Sequence, residues 1–155
     1  MKILHALPEG MGRIMSEDEV INFLKNKTNL HLATVDEKGE PNIQPVWFYH
    51  DKEHEKIYLH TSKESKKVRN IRSKPNIYFA IDEDDFPYRC VKGKGTITIL
   101  ENPATNLPIV EKICIKYLGS LDHEFSKMLL DEAKKGTSVV LELTPKFYST
   151  WDFAN

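Results

Sequence analysis

The residues best suited to chemistry in this chain lie in one stretch, IYLHTSKESKKVRNIRSKP, which begins at Ile57 and ends at Pro75. Residues 57–60 are β-branched, aromatic or apolar and follow a charged turn, which predicts a strand. The strand is expected to break at Thr61 and Ser62, whose hydroxyls can cap a following helix. That helix is expected over 65–73, with Val68 and Ile71 on one face and Lys66, Lys67, Arg69 and Arg72 flanking it. From Lys63 to Lys74 six basic residues stand against one acidic residue, Glu64, an excess of plus five inside a chain whose formal net charge is -1. A strand, a hydroxyl corner and a helix opening on lysines suit a phosphate. Orphan N–H groups and the helix dipole point at the anion, and lysine neutralises it. A solvated helix face and a nucleic-acid contact are the competing uses of the same charges. The nearby aromatics lie on strands rather than among the basic residues, so no nucleic-acid partner is expected.

Other candidates are fewer. His60 either faces the bound group beside Thr61 or packs as an ordinary strand residue. His50 and His54 fall in a turn with no third ligand, so no metal site is expected. Cys90 and Cys114 stand far apart, without metal or redox spacing, and read as small core residues. Gly93 and Gly95 lack the third glycine and the helical context of a dinucleotide loop. With no Ser/His/Asp order and no paired carboxylates, no catalytic residue is assigned; a cofactor would carry any chemistry.

The 155 residues, 40% hydrophobic and 29% charged, fit one domain spanning 1–155 with a real core. The near-zero net charge argues against a general nucleic-acid binder. No apolar run reaches the length of a membrane span. The opening MKILHALPEG is too short and too interrupted for a secretion signal, so a cytoplasmic, reduced protein is expected.

Residues 1–15 read as a lead-in arm. Ser16 and Glu19 form a capping box for a helix ending near Lys27, with Val20, Ile21, Phe23 and Leu24 as its apolar face. Strands follow over 30–35 and 41–50, joined by a turn with Gly39 at a positive-φ position. Pro45 removes a ladder donor and predicts an edge, a bulge or a strand end near a ligand. Further strands are expected over 76–81 and 88–100, the latter with Gly93 and Gly95 on its inner face so that the sheet can curl. Helices over 103–118 and 122–135 precede strands over 138–143 and 147–151. Short hairpins favour an antiparallel arrangement, and closure into a small barrel removes the exposed edges.

With these residues laid out, the chain resembles the flavin-binding split-barrel family related to pyridoxamine 5'-phosphate oxidase. The segment IYLHTSKESKKVRNIRSKPNIYFAID carries the likeness most specifically; LATVDEKGEPNIQPVWF, VKGKGTITIL and TPKFYSTWDF support it. The resemblance implies a mainly β fold, a six- to seven-stranded antiparallel split β-barrel of Greek-key type with flanking helices. It implies a homodimer with FMN, or in some branches a deazaflavin, in a cleft between subunits. By this likeness Thr61, Ser65, Lys66 and Lys67 hold the phosphate, and the stretch at Gln44, Pro45, Val46 and Trp47 lines the ring. His60 sits beside the cofactor, and Trp47, Tyr49 and Trp151 are candidates to complete the wall. Arg69, Arg72 and Lys74 could serve the longer acidic tail of a deazaflavin. Pyridoxamine-phosphate oxidases proper carry an Arg on the second strand and an Arg-rich segment after the last Trp. Gln44 and Pro45 stand near the first position here, and only four residues follow Trp151, so vitamin-B6 oxidation is not expected. The implied activity is an FMN-dependent oxidoreductase acting on a small substrate, with a flavin- or deazaflavin-binding module without turnover as the alternative.

Overall fold

A computed structural model describes residues 1–154. Its elements run β1 (Ile3–His5), α1 (Glu17–Phe23), β2 (Leu30–Val35), β3 (Pro41–Val46), β4 (Phe48–Asp51) and β5 (Lys56–Ser62). They continue with α2 (Lys66–Ser73), β6 (Asn76–Asp82), β7 (Arg89–Leu100), α3 (Pro103–Leu118), α4 (Glu124–Lys135) and β8 (Ser138–Asp152). The strands form one sheet in the order β3-β2-β6-β7-β8-β5-β4, with every neighbour antiparallel. β1 joins β8 in parallel, pairing Leu4 with Ser149. The fold is mainly β, a curled split-barrel sheet with four flanking helices.

β8 is the spine. Its first half lies between β7 and β5, and its second half between β7 and β1. Two separate strands were expected here, divided at Pro145. The strand continues because Pro145 sits at the bulge, opposite Gly95, where the register shifts between Lys94 and Gly95 and a missing N–H costs no ladder bond. Gly93 and Gly95 allow β7 and β8 to approach this closely. A Cβ on Gly93 would collide with the Phe147 carbonyl oxygen, and one on Gly95 would stand 2.7 Å from that of Thr144.

The expected strand over 41–50 divides at Trp47 into β3 and β4, which end at opposite edges of the sheet. Pro45 accordingly occupies an edge strand, paired only with His31 of β2. His50, expected in a turn, is a β4 residue paired with Ile57. The residues read as a lead-in arm contribute β1, and Arg13 bridges to Asp152.

Two apolar cores stabilise the sheet. The inner one collects Phe23, Leu32, Phe48, Leu59, Ile71, Phe79 and Leu141 inside the curl. The outer one packs Val110, Cys114, Leu130 and Ala133 of the α3–α4 hairpin on Val140 of β8. The capping box at Ser16 and Glu19 forms as expected, although α1 ends at Phe23 rather than near Lys27. Lys116 of α3 reaches back to donate to the Leu24 carbonyl at 3.1 Å, with its ammonium 3.4 Å from the centre of the Phe48 ring. α2 is fixed by Asn70, whose buried amide donates to Thr34 Oγ1 at 3.0 Å.

Candidate functional site

A cavity of about 310 Å³ opens where the β3/β4 break, the end of β5, the first turn of α2 and the α3–α4 hairpin meet. Pro45, Val46, Trp47, His60 and Thr61 line it from the sheet side and Lys67 from α2. Six of the ten expected site residues therefore come together around one space. Ile113, Phe125 and Leu129 close the other side. The sequence reading missed these three; the spacing of Phe125 and Leu129, one helical turn apart on α4, was the available signal.

Trp47 is positioned from both sides. Its ring stacks on Tyr117 at 4.6 Å and 2°, and Phe125 meets it edge-on at 5.7 Å. The Tyr117 hydroxyl accepts from the Phe48 N–H at 3.2 Å and donates to the Thr28 carbonyl at 2.8 Å. One side chain of α3 thus satisfies the backbone exposed by the strand break and holds the indole flat. Planar, apolar walls of this kind suit a flat ring.

The strand before α2 runs two residues further than expected. Thr61 and Ser62 remain in β5, paired with Val139 and Ser138, so they do not cap the helix. Ser65 is the N-cap, yet its side chain makes no capping bond, and its buried Oγ has no hydrogen-bond partner among the described residues. The helical ladder starts with Arg69 N–H to the Ser65 carbonyl at 3.2 Å, which leaves the N–H groups of the first turn to an outside acceptor. Lys67 projects from this turn into the cavity. Burial pushes its pKa down, and among the described residues it has neither an ion pair nor a hydrogen bond. An unsatisfied hydroxyl, orphan N–H groups and an uncompensated ammonium fit an anion. Gln44 precedes the lining residues on β3 without itself lining the cavity, and its buried Nε2 has no hydrogen-bond partner among the described residues.

Two expected residues lie elsewhere in this chain. Lys66 turns away to Asp36, with Nζ 3.7 Å from Oδ2. Trp151 pairs with Cys90 across β7 and β8 and lines a different recess with Tyr88 and Phe153. A larger recess of about 610 Å³ lies against residues 83–87. Its two arginines are already paired, Arg13 with Glu19 and Asp152, and Arg89 with Glu83, and its other charges, Asp84 and Asp85, are acidic.

His60 Nε2 lies 2.7 Å from the hydroxyl of buried Ser138. Burial lowers its pKa to about 4, and the imidazole is neutral at physiological pH. The folded pKa lies below the usual value of about 6.5, so the unfolded chain binds the proton first as pH falls. Stability is expected to drop between about pH 6.5 and about 4. His50, also lowered by burial, contributes in the same direction. Urea unfolding of wild type and His60→Gln should therefore give a shallower acid loss in the variant; parallel profiles would contradict a buried neutral His60.

The molecule so defined is a split barrel with a cleft, walled by Trp47 and lined by Lys67, at the break between β3 and β4. A family model described as pyridoxamine 5'-phosphate oxidase matches residues 16–152, and the chain belongs to that family. A conserved hypothetical protein from Mycobacterium tuberculosis is 24% identical, with a TM-score of 0.78 over 94% of this chain and 89% of that one. An F420 reductase is 25% identical, with a TM-score of 0.66 over 92% and 98% of the two chains. A FAD-binding protein from Mesorhizobium loti is 17% identical, with a TM-score of 0.65 over the same shares, 92% and 98%. No curated protein sequence matches the chain.

Proposed function

We propose that this chain is an FMN-binding flavoprotein, an oxidoreductase acting on a small molecule, that works as a homodimer. The observation that carries the reading is Lys67, without an ion pair or hydrogen bond among the described residues, lining a cavity walled by Trp47 from the first turn of α2, whose N-cap Ser65 makes no side-chain capping bond. Lys67, Ser65 and the first-turn N–H groups hold the phosphate. Thr61 borders it, and Pro45, Val46 and Trp47 set the plane of the ring. Bound FMN supplies hydride or electron transfer, and the protein supplies position and local charge. The similar structures named for F420 reduction and FAD binding point to the same kind of cofactor.

Pro45 and Val46 of the edge strand β3 line the cavity. On the same strand Ile43, 68% exposed, makes one cross-strand row on the outer face with Ala33 and Tyr78, 52% exposed. A second copy covering this row would bring further residues, Trp151 among them, toward the ring. This apolar row supports a dimer whose flavin sites lie at the interface.

The decisive experiment is a visible spectrum of the purified protein, followed by FMN titration and a measurement of mass in solution. One tightly bound FMN per subunit in a dimer supports the proposal, and reduction by a nicotinamide donor with acceptor-stimulated reoxidation supports turnover. Saturable flavin binding without such a reaction would leave a binding module. A colourless protein that ignores FMN would reduce α2 to a solvated surface and remove the proposal.

A further inference from the structure

A second recess, of about 470 Å³, lies between α3 and the edge strand β4 and shares no lining residue with the flavin cleft. Pro108, Ile115 and Leu121 supply its apolar walls, and Tyr49 of β4 supplies a ring. Ile115 is 49% exposed, an apolar side chain left at the surface. The charges around the recess do not cancel. Lys112 and Lys116, one helical turn apart on α3, line it against a single carboxylate, Glu111. None of these three forms an ion pair among the described residues. The Lys112 ammonium lies 5.1 Å from the centre of the Tyr49 ring. That of Lys116 has the Leu24 carbonyl and the Phe48 and Tyr117 rings as partners, none of which carries a compensating charge.

We infer that this recess is a second binding site, separate from the flavin cleft, for a small amphipathic carboxylate. Its apolar body packs on Pro108, Ile115, Leu121 and Tyr49, and its carboxylate meets Lys112 and Lys116. A concave apolar surface with a few charged groups is the usual form of a small-molecule site, and two amines against one carboxylate select an anion. The anion supplies the counter-charge that Lys116 lacks. Burial holds the Lys116 pKa down to about 7, and a bound carboxylate raises it, so binding above that pH takes up a proton. The other groups near the amine are Glu111 and Lys112 on α3 and Tyr49 and His50 on β4. His50, lowered by burial and by Lys116 itself, is neutral above pH 7 and adds no proton of its own.

The test is isothermal titration of the purified protein with octanoate and with 1-octanol, which share an alkyl chain and differ in charge. One octanoate is expected per chain, bound at least about tenfold more tightly than octanol. Its Kd should rise roughly fivefold to tenfold between about pH 7.5 and about pH 8.5, as one linked proton requires. Lys116→Gln should remove both the preference for octanoate and this pH dependence. Ile115→Glu, at an exposed position, should weaken octanoate by about tenfold without disturbing the core. Saturating octanoate should leave an FMN titration unchanged. Equal affinity for octanoate and octanol, a flat pH profile, or wild-type octanoate binding by Lys116→Gln overturns the inference. Competition with FMN also overturns it, by placing octanoate in the other cleft. The two ligands and the pH profile need neither a variant nor a bound flavin, so the result stands apart from the proposed cofactor site.

Discussion

Lys67→Ala is expected to weaken FMN binding by ~1–3 kcal/mol, roughly five- to 150-fold, and to leave riboflavin binding unchanged. The reasoning follows from where the ammonium sits. It is half-buried and has no partner among the described residues, so burial lowers its pKa with nothing to offset the desolvation. A phosphate entering beside it restores the lost interaction, helped by the Ser65 hydroxyl and the first-turn N–H groups. Riboflavin has the ring but no phosphate and does not draw on Lys67. Isothermal titration of both ligands separates these contributions. Equal losses for the two, or no loss for FMN, would remove the phosphate from this end of the cleft. Added salt should weaken wild-type FMN binding only modestly, because the partly buried charge is screened less than a surface one.

Gly93→Ala is expected to destabilise the fold by about 3 kcal/mol, within the range for a side chain forced into filled space. The new methyl would collide with the Phe147 carbonyl oxygen and meet the Phe79 ring at 2.9 Å. The ring has some freedom to move, but the carbonyl belongs to the β7–β8 ladder, where Lys94 faces Phe147. Relief requires the two central strands to separate. Urea unfolding should show the lower midpoint with an unchanged slope. A variant within about 0.5 kcal/mol of wild type would mean that the strands are not held this closely.

What could be read from the sequence is what depends on local chemistry. Ser16 and Glu19 specify a capping box within four residues, Pro45 cannot sit in a central strand, and Gly93 and Gly95 allow close backbone approach; all three appear in the structure. The break at Trp47 was not legible, because it depends on Tyr117, which arrives from α3 to satisfy the Phe48 N–H. Continuity through Pro145 was equally hidden, since it depends on a bulge opposite Gly95. The short β1 has too few residues to show a period, and it exists through pairing with β8. At the site, the Lys67 end could be located from the strand–helix sequence. The pairing of Lys66 and Arg72 could not, because Asp36 and Glu101 are distant in the chain and meet α2 only after folding.

The spine strand has a consequence for biosynthesis. β8 follows every other element in chain order, yet β1, β5 and β7 all hydrogen-bond to it. During synthesis these three strands leave the ribosome without their common partner. The β2–β3 and β6–β7 hairpins can form early and join through the β2–β6 pairing, but the β4–β5 hairpin cannot be joined to them across the sheet until residues 138–152 emerge. Such long-range pairing is slow to establish and leaves apolar strand faces exposed meanwhile. A nascent chain stalled before Ser138 should therefore bind chaperones and resist native collapse, and release of the last strand should complete the whole sheet in one cooperative step.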